Sequence, residues 1–316
     1  IKEYRIYSGK TFFQIPQKEL MDLHYYIPNE LELFFDDRIV VASTPLNNNN
    51  GIQMIFDDGS IAKTEFSFNE NSKTSQVMIL GNIDMKDHIT YYSENGNIIV
   101  FSRENHKIKI LNDSKVKTCL DIFSESNLIA QIDDNILFCP DSSTVSCISE
   151  GKLPNVLCHS YEQISLLSAS SNFNIFVFST IDCYIHVHSG INGKLVKEYK
   201  LQNEANKILI TKKWGFIIAF TSKNIYLFDV NGTCLKNIEL SDEYSIARWY
   251  TFSSREGFDY IIFENEFHNL YYFEAFYPEK IKFLCELNEE SSGVLVYQLN
   301  SQIINMFILM NTGKIK

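Results

Sequence analysis

Several signatures are missing from these 316 residues, and each absence removes a class of function. No G-x-x-x-x-G-K-[ST], G-x-G-x-x-G or G-x-S-x-G pattern occurs. That leaves no phosphate-cradling loop and no nucleophile elbow to argue from. No apolar run approaches the ~20 residues that a membrane helix needs, and no signal peptide is recognisable. Basic residues are outnumbered, with 28 Lys and Arg against 39 Asp and Glu, for a formal net charge of −11. No continuous Lys/Arg run offsets this. The nearest basic group, Lys107, Lys109, Lys115 and Lys117, reads as solvated strand faces and turns. A chain of this balance lacks the positive footprint that nucleic acid or anionic lipid requires. The seven cysteines are scattered, and none forms a C-x-x-C pair. Most stand within or beside apolar runs and read as buried free thiols in a reducing compartment.

What is present is strand rhythm. Residues 159–201, HSYEQISLLSASSNFNIFVFSTIDCYIHVHSGINGKLVKEYKL, contain four strand signals with three turns. Ile164–Leu167 is a short apolar run, followed by a polar, turn-rich stretch to Asn174. Ile175–Ser179 is almost wholly apolar, as a strand covered on both faces should be. Ile181 and Asp182 make a tight turn. Tyr184–Ser189 mixes aromatic, aliphatic and His side chains suited to a half-buried pleat. Asn192-Gly193 is a strong hairpin pair. Leu195–Leu201 then alternates apolar and polar, as an outer strand does.

The rhythm recurs. The apolar centres of successive second strands fall at Met54, Ile99, Ile129, Phe176, Ile217, Ile261 and Phe307. Their spacing is 41–47 residues, except for 30 between Ile99 and Ile129. A period of roughly 40–45 residues is that of WD-type blades. The expectation is an all-β, WD-type β-propeller of seven blades, each of four antiparallel strands. It occupies residues 39–316 as one domain. The short gap marks a trimmed or misassigned third blade, placed at about Thr118–Ile148. The last blade shows only three strands, Val294–Ile315. An open sheet edge leaves backbone groups unpaired, so the N-terminal segment 1–38 is expected to supply the closing strand, with Ile1–Tyr7 one candidate.

Four polar residues of the fourth blade invite a catalytic reading: His159, Ser179, Asp182 and His188. A Ser-His-Asp hydrolase centre is the sharper interpretation. A hydrogen-bond network that fastens the blade is the better one, because a WD blade places a His, a Ser and a turn Asp in such a network. His188 stands where that pattern has Trp. His186 and His188 share one strand face, but a zinc site needs three or four ligands and no third has a recognisable spacing. Asp36-Asp37, Asp57-Asp58, Asp133-Asp134 and Glu289-Glu290 read as solvated turn residues rather than glycosidase carboxylates. The sequons at Asn112 and Asn231 read as turns. No catalytic, cofactor-binding or metal-binding residue is assigned. The aromatics crowding blades five and six, Trp214 and Trp249 among them, are core residues or interface anchors.

Three blocks resemble one family in that family's own order. They are the blade at 159–201 with its IHVHSGINGKL, the stretch ILITKKWGFIIAFTSKNIYLFDV at Ile208–Val230, and WYTFSSREGFDYIIFENEFHNLYYFEAFY at Trp249–Tyr277. Each resembles the propeller of BEACH-domain proteins of the beige and neurobeachin type, with TKKWGFIIAF carrying most of the likeness. The resemblance implies a WD-repeat propeller behind a BEACH domain lying upstream of Ile1. It implies a cytoplasmic scaffold in vesicle and membrane trafficking that binds proteins and touches membranes only peripherally. No BEACH domain is visible in these residues. A WD adaptor of a coat or ubiquitin ligase is an alternative. An enzyme or small-ligand propeller with a central-channel site is another, of a different class.

Overall fold

The computed structural model describes residues 31–32, 38–46, 51–69, 72–83, 89–94, 97–102, 105–112, 115–190, 192–241, 244, 246–253, 257–287, 289–298, 304–310 and 314–315. Among them there is no α-helix, and 28 strands form antiparallel sheets of four. The fold is a β-propeller. Blade one is β2 (Val40–Pro45), β3 (Gly51–Phe56), β4 (Ser60–Asn69) and β5 (Ser72–Asn82). Blade two is β6 (Ile89–Glu94), β7 (Asn97–Ser102), β8 (Lys107–Asn112) and β9 (Lys115–Asp121). Blade three is β10 (Ile129–Ile132), β11 (Asn135–Phe138), β12 (Thr144–Ile148) and β13 (Asn155–His159). Blade four is β14 (Ile164–Ser170), β15 (Ile175–Thr180), β16 (Tyr184–Ser189) and β17 (Leu195–Lys200). Blade five is β18 (Ala205–Ile210), β19 (Ile217–Thr221), β20 (Asn224–Phe228) and β21 (Cys234–Glu239). Blade six is β22 (Ile246–Ser253), β23 (Asp259–Asn265), β24 (Asn269–Glu274) and β25 (Lys282–Glu286).

Six blades of consecutive strands are therefore present, not the seven expected from the spacing. The remaining strands, β26 (Ser291–Gln298), β27 (Ile304–Met310) and β28 (Lys314–Ile315), make a composite sheet. Its fourth member is β1 (Leu31–Glu32), with Leu31 opposite Ile315 and Glu32 opposite Lys314. The Ile1–Tyr7 segment lies outside the described residues. The 30-residue gap also has an explanation. Ile129 opens the first strand of blade three, whereas the second strand is Asn135–Phe138. Thr118 belongs to β9 of blade two. An unbroken apolar run reads alike for a first and a second strand, and so the period was misplaced there.

The described residues fall in two compact units. One holds blades three to six, 128–285; the other holds blades one and two with the composite sheet. In the first unit the opening strands stand side by side, β10 against β14 and β14 against β18. Its largest core joins blades four to six through Val177, Val187, Phe220, Phe228, Phe263 and Phe273. Second strands are the most apolar and the most covered. All six residues of β15 and all seven of β23 are buried. The outer strand β17 is exposed along most of its length, and Lys197 and Lys200 guard its free edge.

A clasp recurs in both units. The residue just past an outer strand donates its N–H to a carbonyl in or beside the turn between the second and third strands. Ile83 bonds Gly59 at 2.8 Å, and Ile122, Leu201 and Leu240 bond His106, Cys183 and Lys223 at 2.7 Å. All four donors are buried. Their apolar side chains turn inward as the backbone bond pins the end of the blade.

Candidate functional site

The residues nominated from sequence do not form one network. His159 closes blade three, not blade four, and its Nδ1 lies 3.1 Å from Thr144 Oγ1, which donates to Asp141 at 2.9 Å. Ser179 is buried, and its hydroxyl pairs with that of Ser165 at 2.9 Å. Asp182 accepts a 2.6 Å bond from Thr180 Oγ1, and its backbone carbonyl accepts the Lys200 ammonium. His188 bonds the Gly193 carbonyl at 2.8 Å. Each of the four residues fastens its own turn or strand pair, with separate partners. The physical reason is register: His159 pairs with Thr144 in blade three, whereas Ser179 stands opposite Leu166 and Ile185 within blade four, and Asp182 in the following turn folds back on Thr180.

His186 and His188 occupy the same face of β16. Phe178 stacks on both rings, with centroids at 4.7 and 5.1 Å, and Phe176 covers His188 from 5.1 Å. Since the Gly193 carbonyl can only accept, His188 carries its proton on Nδ1. Its Nε2 is buried without a partner. Burial pushes both imidazoles below their usual pKa, and Glu198 and Asp182 only partly restore that of His186. The unfolded state then binds protons first as pH falls. The stability contributed by neutral imidazoles is full above the ordinary His pKa and is lost below it. Each such proton adds a slope of up to about 1.4 kcal/mol per pH unit. Urea denaturation between pH 7 and pH 5 should show this slope, and His188→Phe should flatten it. Equal slopes for the two proteins would contradict the assignment. No group of three or more His, Cys, Asp or Glu converges as a metal set among the described residues.

Trp214 is a joint. Residues Thr211–Gly215 turn the chain from β18 to β19, and Thr211 Oγ1 accepts the Phe216 N–H at 3.0 Å. The Asp259 carboxylate of blade six accepts the N–H groups of Lys213 at 3.1 Å and Trp214 at 2.9 Å. The Trp214 indole donates to the Gly257 carbonyl. On the other side, Asn172 of blade four donates to the Lys212 carbonyl at 2.9 Å. Gly215 has φ +68°, and a Cβ there would press on the Phe173 ring at 2.8 Å. The TKKWG block is thus a splice across three blades, which explains why those residues stand together. Trp249, half-buried, stacks on Phe220 with centroids 3.6 Å apart. Both tryptophans belong to the core rather than to an exposed anchor set.

Two of the free thiols are held in the neutral form. Burial raises Cys139 to about 12 and Cys158 to about 11, which leaves almost no thiolate. The expectation of buried thiols holds for Cys139 and Cys285. Cys147, Cys158, Cys183 and Cys234 are only half-buried.

Exposed apolar side chains stand at several places, Phe123, Leu153 and Phe283 among them. In an antiparallel blade, the turn between strands two and three and the link to the next blade lie at one end. In the 128–285 unit this end carries a fully exposed Tyr161, with Ile181 and Phe267 at turn tips, 46% and 71% exposed. Backbone bonds hold the blade-three and blade-four part together: Ser160 N to Ser143 O at 2.7 Å, Ile164 N to Ser142 O at 2.7 Å and Ile181 N to Gln163 O at 3.0 Å. Sequence reading missed Tyr161 and counted Phe267 only among the aromatics that are core residues or interface anchors. Their turn position was the available signal, since aromatics at turn tips have no strand face to cover. No protein-family model matches this chain, and no curated protein matches it. No helix among the described residues is long and apolar enough to cross a membrane.

Proposed function

We propose that the protein is a non-catalytic docking scaffold that binds other proteins through the turn-bearing end of its 128–285 unit. The observation that carries this reading is the exposure of Tyr161, Ile181 and Phe267 on turns held by backbone hydrogen bonds. Large apolar side chains on a rigid frame are what protein interfaces use as anchors. The polar residues that might have done chemistry are occupied in turns and strand pairs. The finer reading is a cytoplasmic BEACH-type scaffold of membrane trafficking, peripheral to membranes and lying behind a BEACH domain. It rests on the resemblance of the three blocks alone. Coding sequence upstream of Ile1 that lacks a BEACH domain would remove that part.

The docking reading is tested by affinity capture with two variants. Tyr161→Ser/Ile181→Ser/Phe267→Ser should lose a stoichiometric partner held by the unchanged protein, by about tenfold or more if these are anchors. Leu153→Ser/Leu195→Ser alters exposed residues away from that end and should keep it. Retention by the first variant, with equal folded content by circular dichroism, would overturn the reading.

A further inference from the structure

The docking end of the 128–285 unit carries charge of one sign. Its turns and links present Asp141, Glu162, Asp182, Glu204 and Glu266, and among the described residues Lys223 is the only Lys or Arg there. The opposite end is mixed: Glu150 stands with Lys152, and Glu279 with Lys280. Asp141, Glu162 and Asp182 lie on one strip of bonded backbone. The link at 160–164 is held on one side by the Ser142 and Ser143 carbonyls, just past Asp141. On its other side the Gln163 carbonyl holds Ile181, just before Asp182. Tyr161, fully exposed, and Glu162, also exposed, stand in the middle.

Among the described residues no Lys or Arg pairs with these three carboxylates. Elsewhere such pairs form, Lys63 with Glu65 at 2.9 Å and Lys236 with Glu279 at 3.1 Å. The Lys200 ammonium instead takes the Asp182 backbone carbonyl and lies 4.3 Å from the Tyr184 ring centroid. The Asp141 carboxylate is fixed by the Ser143 N–H at 2.8 Å and by Thr144 Oγ1 at 2.9 Å. Burial works against its charge, yet these bonds keep its pKa below the usual carboxylate value. The acids do not converge as a metal set. Charge strung along a strip matches charge strung along a chain. The exposed ring adds a preference of its own, because a tyrosine face attracts cations and a planar guanidinium also stacks on it. Ile181, 46% exposed, offers apolar contact beside it.

We propose that this strip binds a basic, arginine-bearing segment of the docked protein, one guanidinium lying on the Tyr161 ring and neighbouring cations meeting Asp141, Glu162 and Asp182. This deepens the docking reading and rests on it for the partner. The same carboxylates repel nucleic acid and anionic lipid.

The test uses the whole 316-residue chain and an Arg-Leu-Arg-Leu-Arg peptide as probe, read by titration calorimetry and by NMR of the tyrosine ring signals. The peptide should shift the Tyr161 signals selectively. Tyr161→Leu keeps an apolar side chain but loses the ring, and should weaken binding about threefold. Tyr161→Phe should retain it. Tyr161→Leu/Glu162→Gln should weaken it about tenfold. Glu150→Gln removes the same charge at the opposite end and should leave binding unchanged. Equal losses for Glu162→Gln and Glu150→Gln would show diffuse attraction and overturn the proposal, as would full binding by Tyr161→Leu. If the peptide fails to bind while partner capture still depends on Tyr161, Ile181 and Phe267, the basic segment falls and the docking reading stands. If the peptide binds as expected while the triple serine variant keeps its partner, the docking reading falls and the cation strip stands.

Discussion

Phe263→Ala is expected to destabilise the protein by about 3–5 kcal/mol, the usual cost of deleting a buried phenyl ring. Phe263 is wholly buried at the middle of β23. Trp249, Tyr271 and Phe273 surround it with centroids at 5.4, 5.3 and 6.2 Å, and Tyr244 meets it edge-on at 5.9 Å. These rings come from three strands and one connection of blade six. Trp249 also stacks on Phe220 of blade five, so the void would open where two blades meet. A packed interior relaxes only in part around such a void. The midpoint of urea denaturation, read by tryptophan fluorescence, should fall accordingly. A loss below about 1.5 kcal/mol would mean that the cluster collapses onto the gap and that the ring is not a keystone.

The second large effect runs the other way. Glu274→Gln should stabilise the protein at pH 8 by up to about 3 kcal/mol and give no gain at pH 4. Glu274 is buried, its Oε1 accepts the Phe276 N–H at 3.2 Å, and its Oε2 has no partner. Burial raises its pKa from 4.5 to about 7; the Phe276 bond opposes this, Asp259 adds to it, and Lys236 pulls it back. The folded state therefore keeps a proton that the unfolded chain has released by pH 5. Stability from this group is full below 4.5 and drains away as pH rises through 7. Glutamine stays neutral throughout and escapes the loss. Denaturation curves at pH 4 and pH 8 decide the matter: an equal effect at both would show that packing, not charge, governs the site.

The fold class was legible because the strand code is local. The apolar second strands of blades one, two, four, five and six and of the composite sheet, with turn pairs such as Asn192-Gly193, stand where the period places them. Blade three broke the period because β10 is as apolar as β11 and the turn at Asp133-Asp134 is only two residues long. Of the site, the sequence offered polar residues and concealed their partners. His159 is paired with Thr144 across a strand pair that no motif spacing records. The buried clasp residues Ile83, Ile122, Leu201 and Leu240 also escaped, although Ile83 to Ile122 and Leu201 to Leu240 are each 39 residues apart.

The pairing of Leu31–Glu32 with Lys314–Ile315 has a temporal meaning. On a ribosome the first of these strands must wait through the synthesis of the residues between 32 and 314 for the second. The unit at 128–285 is continuous in its described residues and can mature during that wait. The other is assembled from both ends and comes last. Closing so wide a span costs little in equilibrium terms, since each doubling of a loop adds only about 0.6 kcal/mol. The toll of distance falls on rate: for much of its early life an exposed edge must avoid other chains before its own partner exists.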